Sequence, residues 1–249
     1  MSQAVGARID YVQGGGGNTS VKYRDGLMAV KASGTRLSQV TESSGFAVVE
    51  TASLRDVTAE QGFAPLRPSV ETRFHALLGT FVLHTHPLCA NMAMCSEEGV
   101  EAVLSVMDGI PYAIVPYITP GEELSQAIRA RIKPNTAAVF LQNHGLIVTA
   151  DTAEACLRLH DEINARLGRY YGVTQEDFAA WRAAVRSPLY PDQQVYLALA
   201  GAQEEIFAAV SFIHYTLARK GHHARPMDGA AVAFIAGWEA ESYRKSIEK

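Results

Sequence analysis

Three histidines offer the plainest chemistry in this sequence. Two of them, His84 and His86, close the run Phe81-Val-Leu-His-Thr-His-Pro87. Residues two apart on a strand share a face, so both imidazoles project the same way from Cα atoms about 6.8 Å apart. That separation lets both rings reach one ion at Zn–N distances of roughly 2.0–2.1 Å. Pro87 has no N–H to continue a ladder, which sets His86 at a strand end, where sites open to solvent. A third imidazole, His144, stands between two β-rich runs in Gln142-Asn-His-Gly-Leu-Ile147, and Gly145 beside it permits a tight turn or a close backbone approach. A lone histidine reads more readily as a core or turn residue. An HxH pair at a strand end with a third candidate reads as a metal site. Three nitrogens leave one position open, which is the catalytic rather than the structural zinc pattern.

An acid and two anion-binding segments accompany them. Glu71 lies in Arg67-Pro-Ser-Val-Glu-Thr-Arg73, just ahead of a helical pattern. Ser69 suits the N-cap, placing Glu71 in the first turn, where the helix dipole favours the anion by under ~1 kcal/mol. Its other reading is a proton carrier beside the metal; the dipole lowers its pKa and burial raises it. His75, one turn further on, reads as a packed core histidine. Gly14-Gly-Gly-Gly-Asn-Thr-Ser20 supplies four glycines and the donors Asn18, Thr19 and Ser20. Lys31-Ala-Ser-Gly-Thr35 supplies the hydroxyls of Ser33 and Thr35 with an ammonium nearby. Backbone N–H groups in such turns form concavities that hold phosphate. A flexible hairpin loop is the bland alternative for the glycines.

The elements that must position these residues alternate between β and α. β-rich runs fall at Leu27–Ala32, Phe46–Glu50, Thr80–Thr85, Tyr112–Pro116, Ala137–Gln142 and Leu146–Thr149. Helical patterns fall at Ser69–Leu78, Glu122–Ile132 and Thr152–Tyr170, the last with Asp151 as N-cap, and three more follow from Gln175. The expected fold is α/β, with a mixed or antiparallel sheet between helical layers. All 249 residues are expected to form one domain, with a core over about 12–170 and a helical C-terminal extension over about 175–249. With 48% hydrophobic and 19% charged residues, the chain is an ordinary globular one. Its net charge of −4 argues against a broad nucleic-acid surface. No apolar run approaches the ~20 residues of a membrane span. Three irregularly spaced cysteines, Cys89, Cys95 and Cys156, do not form a disulfide framework, so a cytoplasmic setting is expected.

The ordered series GGGGNTS (14–20), KASGT (31–35), RPSVET (67–72), HTHP (84–87), VPYITPG (115–121) and NHGLIV (143–148) resembles the class II aldolase/adducin superfamily. The C-terminal runs PDQQVY (191–196) and GWEAESYR (237–244) are similar to its longer subgroup, in which rhamnulose-1-phosphate aldolase-type domains are fused to short-chain dehydrogenases. No dinucleotide fingerprint occurs here, so the dehydrogenase half is expected to be absent. The resemblance implies a three-layer αβα fold and a metal held by His84, His86 and His144. It makes Glu71 the acid/base and assigns Asn18, Ser33, Gly34 and Ser69 to the substrate phosphate. Family aldolases acting on small sugar phosphates carry two serines before the glutamate, whereas here the second is Val70, which removes one phosphate donor. No tyrosine matches the proton donor that some members use; Tyr117, Tyr190, Tyr196 and Tyr243 are the candidates.

The implied reaction is cleavage of a ketose 1-phosphate, of deoxy-pentulose or hexulose type, to dihydroxyacetone phosphate and an aldehyde through a metal-stabilised enediolate. Zinc is the expected ion, with Mn²⁺, Co²⁺ or Fe²⁺ as alternatives. The expected partner is a small sugar phosphate rather than nucleic acid or membrane, and the expected assembly is a homotetramer. Three rivals share the fold. A 3-oxo acid decarboxylase would use the same metal site, because it too generates an enolate. A sugar-phosphate 4-epimerase carries aspartate where Glu71 stands. An adducin-like binding module would have no need of three histidines and a glutamate.

Overall fold

The computed structural model describes residues 1–179, 181, 187–196 and 203–238. Short α1 (Ser2–Gly6) precedes a sheet that opens with β1 (Asn18–Tyr23), β2 (Leu27–Lys31) and β3 (Phe46–Glu50). Helix α2 (Thr72–Leu77) leads into β4 (Phe81–Thr85), and α3 (Leu88–Met94) and α4 (Gly99–Val106) follow it. Strand β5 (Tyr112–Val115), helix α5 (Glu122–Arg129) and the hairpin of β6 (Ala138–Leu141) and β7 (Gly145–Ala150) complete the sheet. The strand order is β3-β2-β1-β4-β7-β6-β5, antiparallel throughout except between β5 and β6. The mixed, largely antiparallel sheet matches the expectation. After it come α6 (Ala153–Tyr171), α7 (Gln175–Ala179), α8 (Pro191–Tyr196), α9 (Gln203–Lys220) and α10 (Gly229–Gly237).

Period-two alternation explains the layers. Val82 and Ile147 face α2 and α5, packing with Phe74, Leu124 and Ile128. Leu83, Leu146 and Val148 face the other way, into a larger core with Met92, Ile163, Leu167 and Ile213 from α3, α6 and α9. Each such side chain is buried to within a few per cent, and full burial of one contributes about 1.5–3 kcal/mol. The sheet is thus sandwiched between helices. Among the described residues no helix is long and apolar enough to cross a membrane.

Several local expectations change. Asn18, Thr19 and Ser20 are not loop donors after a glycine run but the start of β1, whose place between β2 and β4 pairs the backbone on both sides. Their polar side chains hide the strand from a hydrophobicity pattern. Helices α3 and α4 were also absent from the sequence reading. Ala90, Met92, Ala93 and Met94 in α3 are all buried, so no amphipathic period exists to reveal it. Ser69 does not cap α2; residues 69–71 form a turn in which the amides of Glu71 and Thr72 bond to Ser69, and Glu71 takes the N-cap position. At α6 the cap is Thr152, whose Oγ1 accepts from the amide of Ala155 at 3.1 Å, rather than Asp151.

The C-terminal segments are tied to the sheet through the β6–β7 turn. Asn143 adopts φ +50°, in the left-handed region, and its Nδ2 donates to the carbonyls of Leu189 at 2.9 Å and Arg225 at 2.6 Å. Asn143→Ala removes both donors and leaves a β-carbon in a strained conformation, so a loss of about 2–4 kcal/mol in unfolding free energy is expected. Asn143→Gly relieves the strain alone and should fall between. Urea unfolding of the three proteins checks this; a loss below about 1 kcal/mol for alanine would show that the C-terminal segments are anchored elsewhere.

Candidate metal centre

Pairing of β4 with β7 sets His84 opposite Ile147 and Thr85 opposite Leu146, which brings the β6–β7 turn beside the end of β4. His84 is on the strand, His86 lies just past its end, and His144 is in the turn. Pro87 does end the ladder: the amide of His86 turns away to the carbonyl of Tyr11. All three rings are buried, with ring centroids 4.9–5.4 Å apart. One nitrogen from each falls within 4.8 Å of the others. His84 Nδ1 donates to the carbonyl of Leu146 at 3.1 Å, which leaves Nε2 as the lone-pair nitrogen. Burial holds the His84 imidazole well below its ordinary pKa, so Nε2 stays unprotonated near neutrality. His86 Nε2 faces it at 3.2 Å. Two ring nitrogens aimed at each other in a buried space, with a third nearby, fit a divalent cation of the zinc type. Gly145 is required here, since a Cβ would meet the carbonyl oxygen of Thr85 at 2.3 Å and His86 Cδ2 at 2.9 Å.

Glu71 enters from the neighbouring helix start. Its Oε1 lies 3.1 Å from His144 Nε2 and its Oε2 lies 3.6 Å from His84 Nε2. Burial alone would raise this carboxyl, but the adjacent imidazoles of His84, His144 and His86 outweigh it and hold the group below its usual range. Oε2 also accepts from Asn18 Nδ2 at 2.6 Å. Asn18 sits opposite His84 in the β1–β4 register, so the sheet itself sets this contact. Behind Asn18 stands His75, fully buried as expected of a core histidine. It donates from Nε2 to Asn18 Oδ1 and accepts the Ser20 hydroxyl at Nδ1, 2.7 Å away. The chain Ser20–His75–Asn18–Glu71 therefore fixes which oxygen of Glu71 is free to react.

A narrow cleft opens above this group, and Asn18, Ser33, Ser69, Glu71, His86 and His144 line it. Lys31 also lines it, its ammonium 3.3 Å from the carbonyl oxygen of Gly15. Two expected residues do not reach the cleft. Thr19 projects from the other face of β1 and meets Ser2 Oγ at 2.7 Å, while Gly34, at φ +77°, lies in the turn behind Ser33. The amide of Gly14 is occupied by Glu205 Oε2 at 2.8 Å, so part of the glycine run serves the chain's own carboxylate. Of the tyrosines, Tyr117 does not line the cleft, and Tyr190 packs its ring 5.5 Å from His86 but donates its hydroxyl to Gln13. The side chain of Tyr196, and Tyr243 with most of the 237–244 run, lie outside the described residues. Asp192 was not anticipated: its Oδ2 is 3.0 Å from His86 Nδ1. Pro191-Asp192 reads in the sequence as an ordinary helix start, with nothing to link it to a histidine a hundred residues earlier.

Known proteins resemble this chain in sequence and fold. A family model described as Class II Aldolase and Adducin N-terminal domain matches residues 3–169. A Bacillus subtilis protein named as uncharacterized oxidoreductase YuxG is 27% identical over 84% of this chain, which spans only 34% of that protein. L-fuculose phosphate aldolase of Escherichia coli K12 is 28% identical over 63% of this chain and 73% of its own length. Among solved structures, the N-terminal class II aldolase domain of a Thermoplasma acidophilum protein superposes with a TM-score of 0.58 at 26% identity, covering 68% of this chain and 89% of that one. Klebsiella pneumoniae YgbL, described as a putative aldolase/epimerase/decarboxylase, shares the fold with a TM-score of 0.56 at 21% identity, over 69% and 86% of the two chains.

The buried network carries a pH signature. Desolvation pushes His75 down to about 3 from 6.5, so between those values the unfolded chain binds more protons than the folded one. Stability from this group is complete above pH 6.5 and is lost as pH falls toward 3, approaching about 1.4 kcal/mol per pH unit within that window. Glu71, also depressed, adds a loss of the same sign further into acid. Urea unfolding of the metal-free protein at pH 7, 6 and 5 should show a shallower decline for His75→Gln than for the wild type. Parallel profiles would refute the assignment.

Proposed function

This chain belongs to the class II aldolase and adducin family, and we propose that it is a divalent-metal-dependent lyase. It cleaves a ketose 1-phosphate, of deoxy-pentulose or hexulose type, to dihydroxyacetone phosphate and an aldehyde. The observation that supports this best is the meeting of three imidazoles with the Glu71 carboxylate at the floor of one cleft, His144 Nε2 being 3.1 Å from Glu71 Oε1. The likeness to L-fuculose phosphate aldolase supports a sugar-phosphate substrate.

His84, His86 and His144 would hold the cation, and zinc is the ion that three imidazole nitrogens favour. When bound, it supplies Lewis-acid stabilisation of the negative charge that develops on substrate oxygens as the carbon–carbon bond breaks. The chain's own residues do the rest. Asn18 fixes Oε2 of Glu71, which leaves Oε1, 3.1 Å from His144 Nε2, to deliver the proton to the substrate carbon that loses its bond, and to take it back in the condensation direction. Lys31, Ser33 and Ser69 border the cleft as the charge and hydroxyls that would grip the phosphate, so binding energy remote from the reacting bond orients it. The resemblance to the family supports a homo-oligomer working in the cytoplasm, and a chain that forms one domain with a helical C-terminal extension.

Decarboxylation of a 3-oxo acid is the second reading, and Val70 favours it. This apolar side chain lines the cleft where family aldolases place a serine, which reduces the donors available to a phosphate. The two reactions share the charge development and the role of Glu71.

Elemental analysis of the purified protein should find one divalent metal per chain, and a screen of ketose 1-phosphates should release dihydroxyacetone phosphate in a chelator-sensitive way. Glu71→Gln should keep the metal and lose turnover by at least about 100-fold, the usual worth of a positioned proton carrier. His84→Ala should lose both. Carbon dioxide release from 3-oxo acids without aldol cleavage would transfer the assignment to the decarboxylase, and an active Glu71→Gln protein would remove the proton-carrier role.

A further inference from the structure

The C-terminal segment reaches into the metal centre at one point, where Asp192 Oδ2 lies 3.0 Å from His86 Nδ1. Both side chains are buried, Asp192 at 5% and His86 at 3% exposure. Among the described residues no other group reaches His86 Nδ1 by a hydrogen bond, so the ion-pair contact with Asp192 stands alone at that nitrogen, and the other ring nitrogen faces His84 Nε2 at 3.2 Å. The three imidazoles are supported differently. His84 is oriented by the backbone carbonyl of Leu146, and His144 Nδ1 has no hydrogen-bond partner. Among the described residues, only His86 has a carboxylate at its outer nitrogen. A metal-bound histidine that donates its far N–H to a carboxylate is fixed in tautomer and ring orientation, and it becomes a stronger ligand. We propose that Asp192 is a positioning residue of the metal centre, a carboxylate delivered by the C-terminal segment to aim His86 Nε2 at the cation.

The surrounding structure is arranged around that contact. Pro191 opens α8 at the position where its missing N–H costs nothing, and the Leu189 amide donates to Gln193 Oε1 at 2.7 Å, which shapes the turn ahead of Asp192. Asn143, next to His144, holds the carbonyl of Leu189, and Tyr190 donates to Gln13 at 2.6 Å. These bonds set Asp192 within reach of His86 without a long flexible approach. The third glycine of the glycine run supplies the space. A Cβ on Gly16 would lie 2.3 Å from Asp192 Oδ2 and 2.9 Å from His86 Nδ1, whereas Gly15 and Gly17 border the cleft itself. Gly16 is not among the glycines with positive φ, so the requirement there is for room rather than for conformation. One glycine run therefore serves two purposes: its flanks border the substrate cleft, and Gly16 admits the carboxylate behind the ligand.

This inference rests on the reading that the three imidazoles hold a cation, and the test separates the two. The full chain, stripped of metal, is titrated with Co²⁺ against a chromophoric chelator, with thermal melting of each metal-free variant as a check on folding. The wild type should bind one Co²⁺, and His84→Ala should bind none. Asp192→Asn should keep the single site but weaken it about 10–100-fold, with an altered Co²⁺ visible spectrum. Gly16→Ala, which attacks the same contact from the opposite side and does not depend on Asp192→Asn folding, should weaken it in the same direction. The double variant should be no weaker than the worse single one, because both remove one interaction. Tyr190→Phe loosens the same segment without touching the carboxylate, so its Co²⁺ affinity should stay within about threefold of wild type. Wild-type affinity in both Asp192→Asn and Gly16→Ala would overturn the positioning role while leaving the metal site intact. A loss in Tyr190→Phe equal to that in Asp192→Asn would assign the effect to docking of the segment and overturn it as well. A wild type that binds no Co²⁺ would overturn the metal reading and this proposal together.

Discussion

Antiparallel pairing of β4 with β7 is the constraint on which the site depends. His84 and His86 come from the end of one strand, and His144 from the turn that leads into the other. The rings can meet only if the two strands hold their register, because a slip of one residue would turn His84 toward the opposite face. The register is secured away from the site, by Val82 and Ile147 packing on α2 and α5, and by Leu83, Leu146 and Val148 packing on the larger helical layer. Hydrophobic burial on both faces therefore positions polar chemistry at the sheet end. Gly145 adds the local condition that the turn can press against His86 without a side chain between.

Polar groups buried this deeply have to be paired, and the pairing explains much of the surrounding sequence. His75 and Ser20 show no direct approach to the cleft, yet they set the amide of Asn18, and Asn18 sets Glu71. On the other face of β4, Thr85 bonds to His160 of α6 at 2.6 Å, so even the residue between His84 and His86 has its partner. A network that satisfies each member costs little and holds each member still; breaking one link leaves its neighbour with a desolvated polar atom.

The sequence revealed the parts of this arrangement that rest on local pattern. His84, His86 and the role of Pro87 followed from strand periodicity, Gly145 from the need for a close turn, and most strands from apolar runs. It could not reveal β1, because Asn18, Thr19 and Ser20 are polar for reasons that lie on other strands and helices. Thr19 reads as a donor alongside Asn18 and Ser20, but alternation along β1 puts it on the other face. Helix α3 escaped notice because a helix buried on every side has no polar stripe. Asp192 escaped because its meaning depends on a chain segment folding back across the sheet end, and no local period encodes that return.

Charge around the cleft links the centre to what it can bind. Among the residues lining it, the charged side chains are the carboxylates of Glu71 and Asp192 and the ammonium of Lys31, which together leave one negative charge. In a buried space that balance would repel an anionic substrate, and it would leave two carboxylates without a compensating cation. A dication reverses the sign: the same residues and the metal then carry one net positive charge, facing Lys31, Ser33 and Ser69 at the cleft wall. A bound cation would therefore act twice, compensating the carboxylates that order the site and making the cleft attractive to a phosphate or carboxylate. The whole-chain charge of −4 carries no trace of this, because the sign that matters is set locally, by three charged side chains within one cleft.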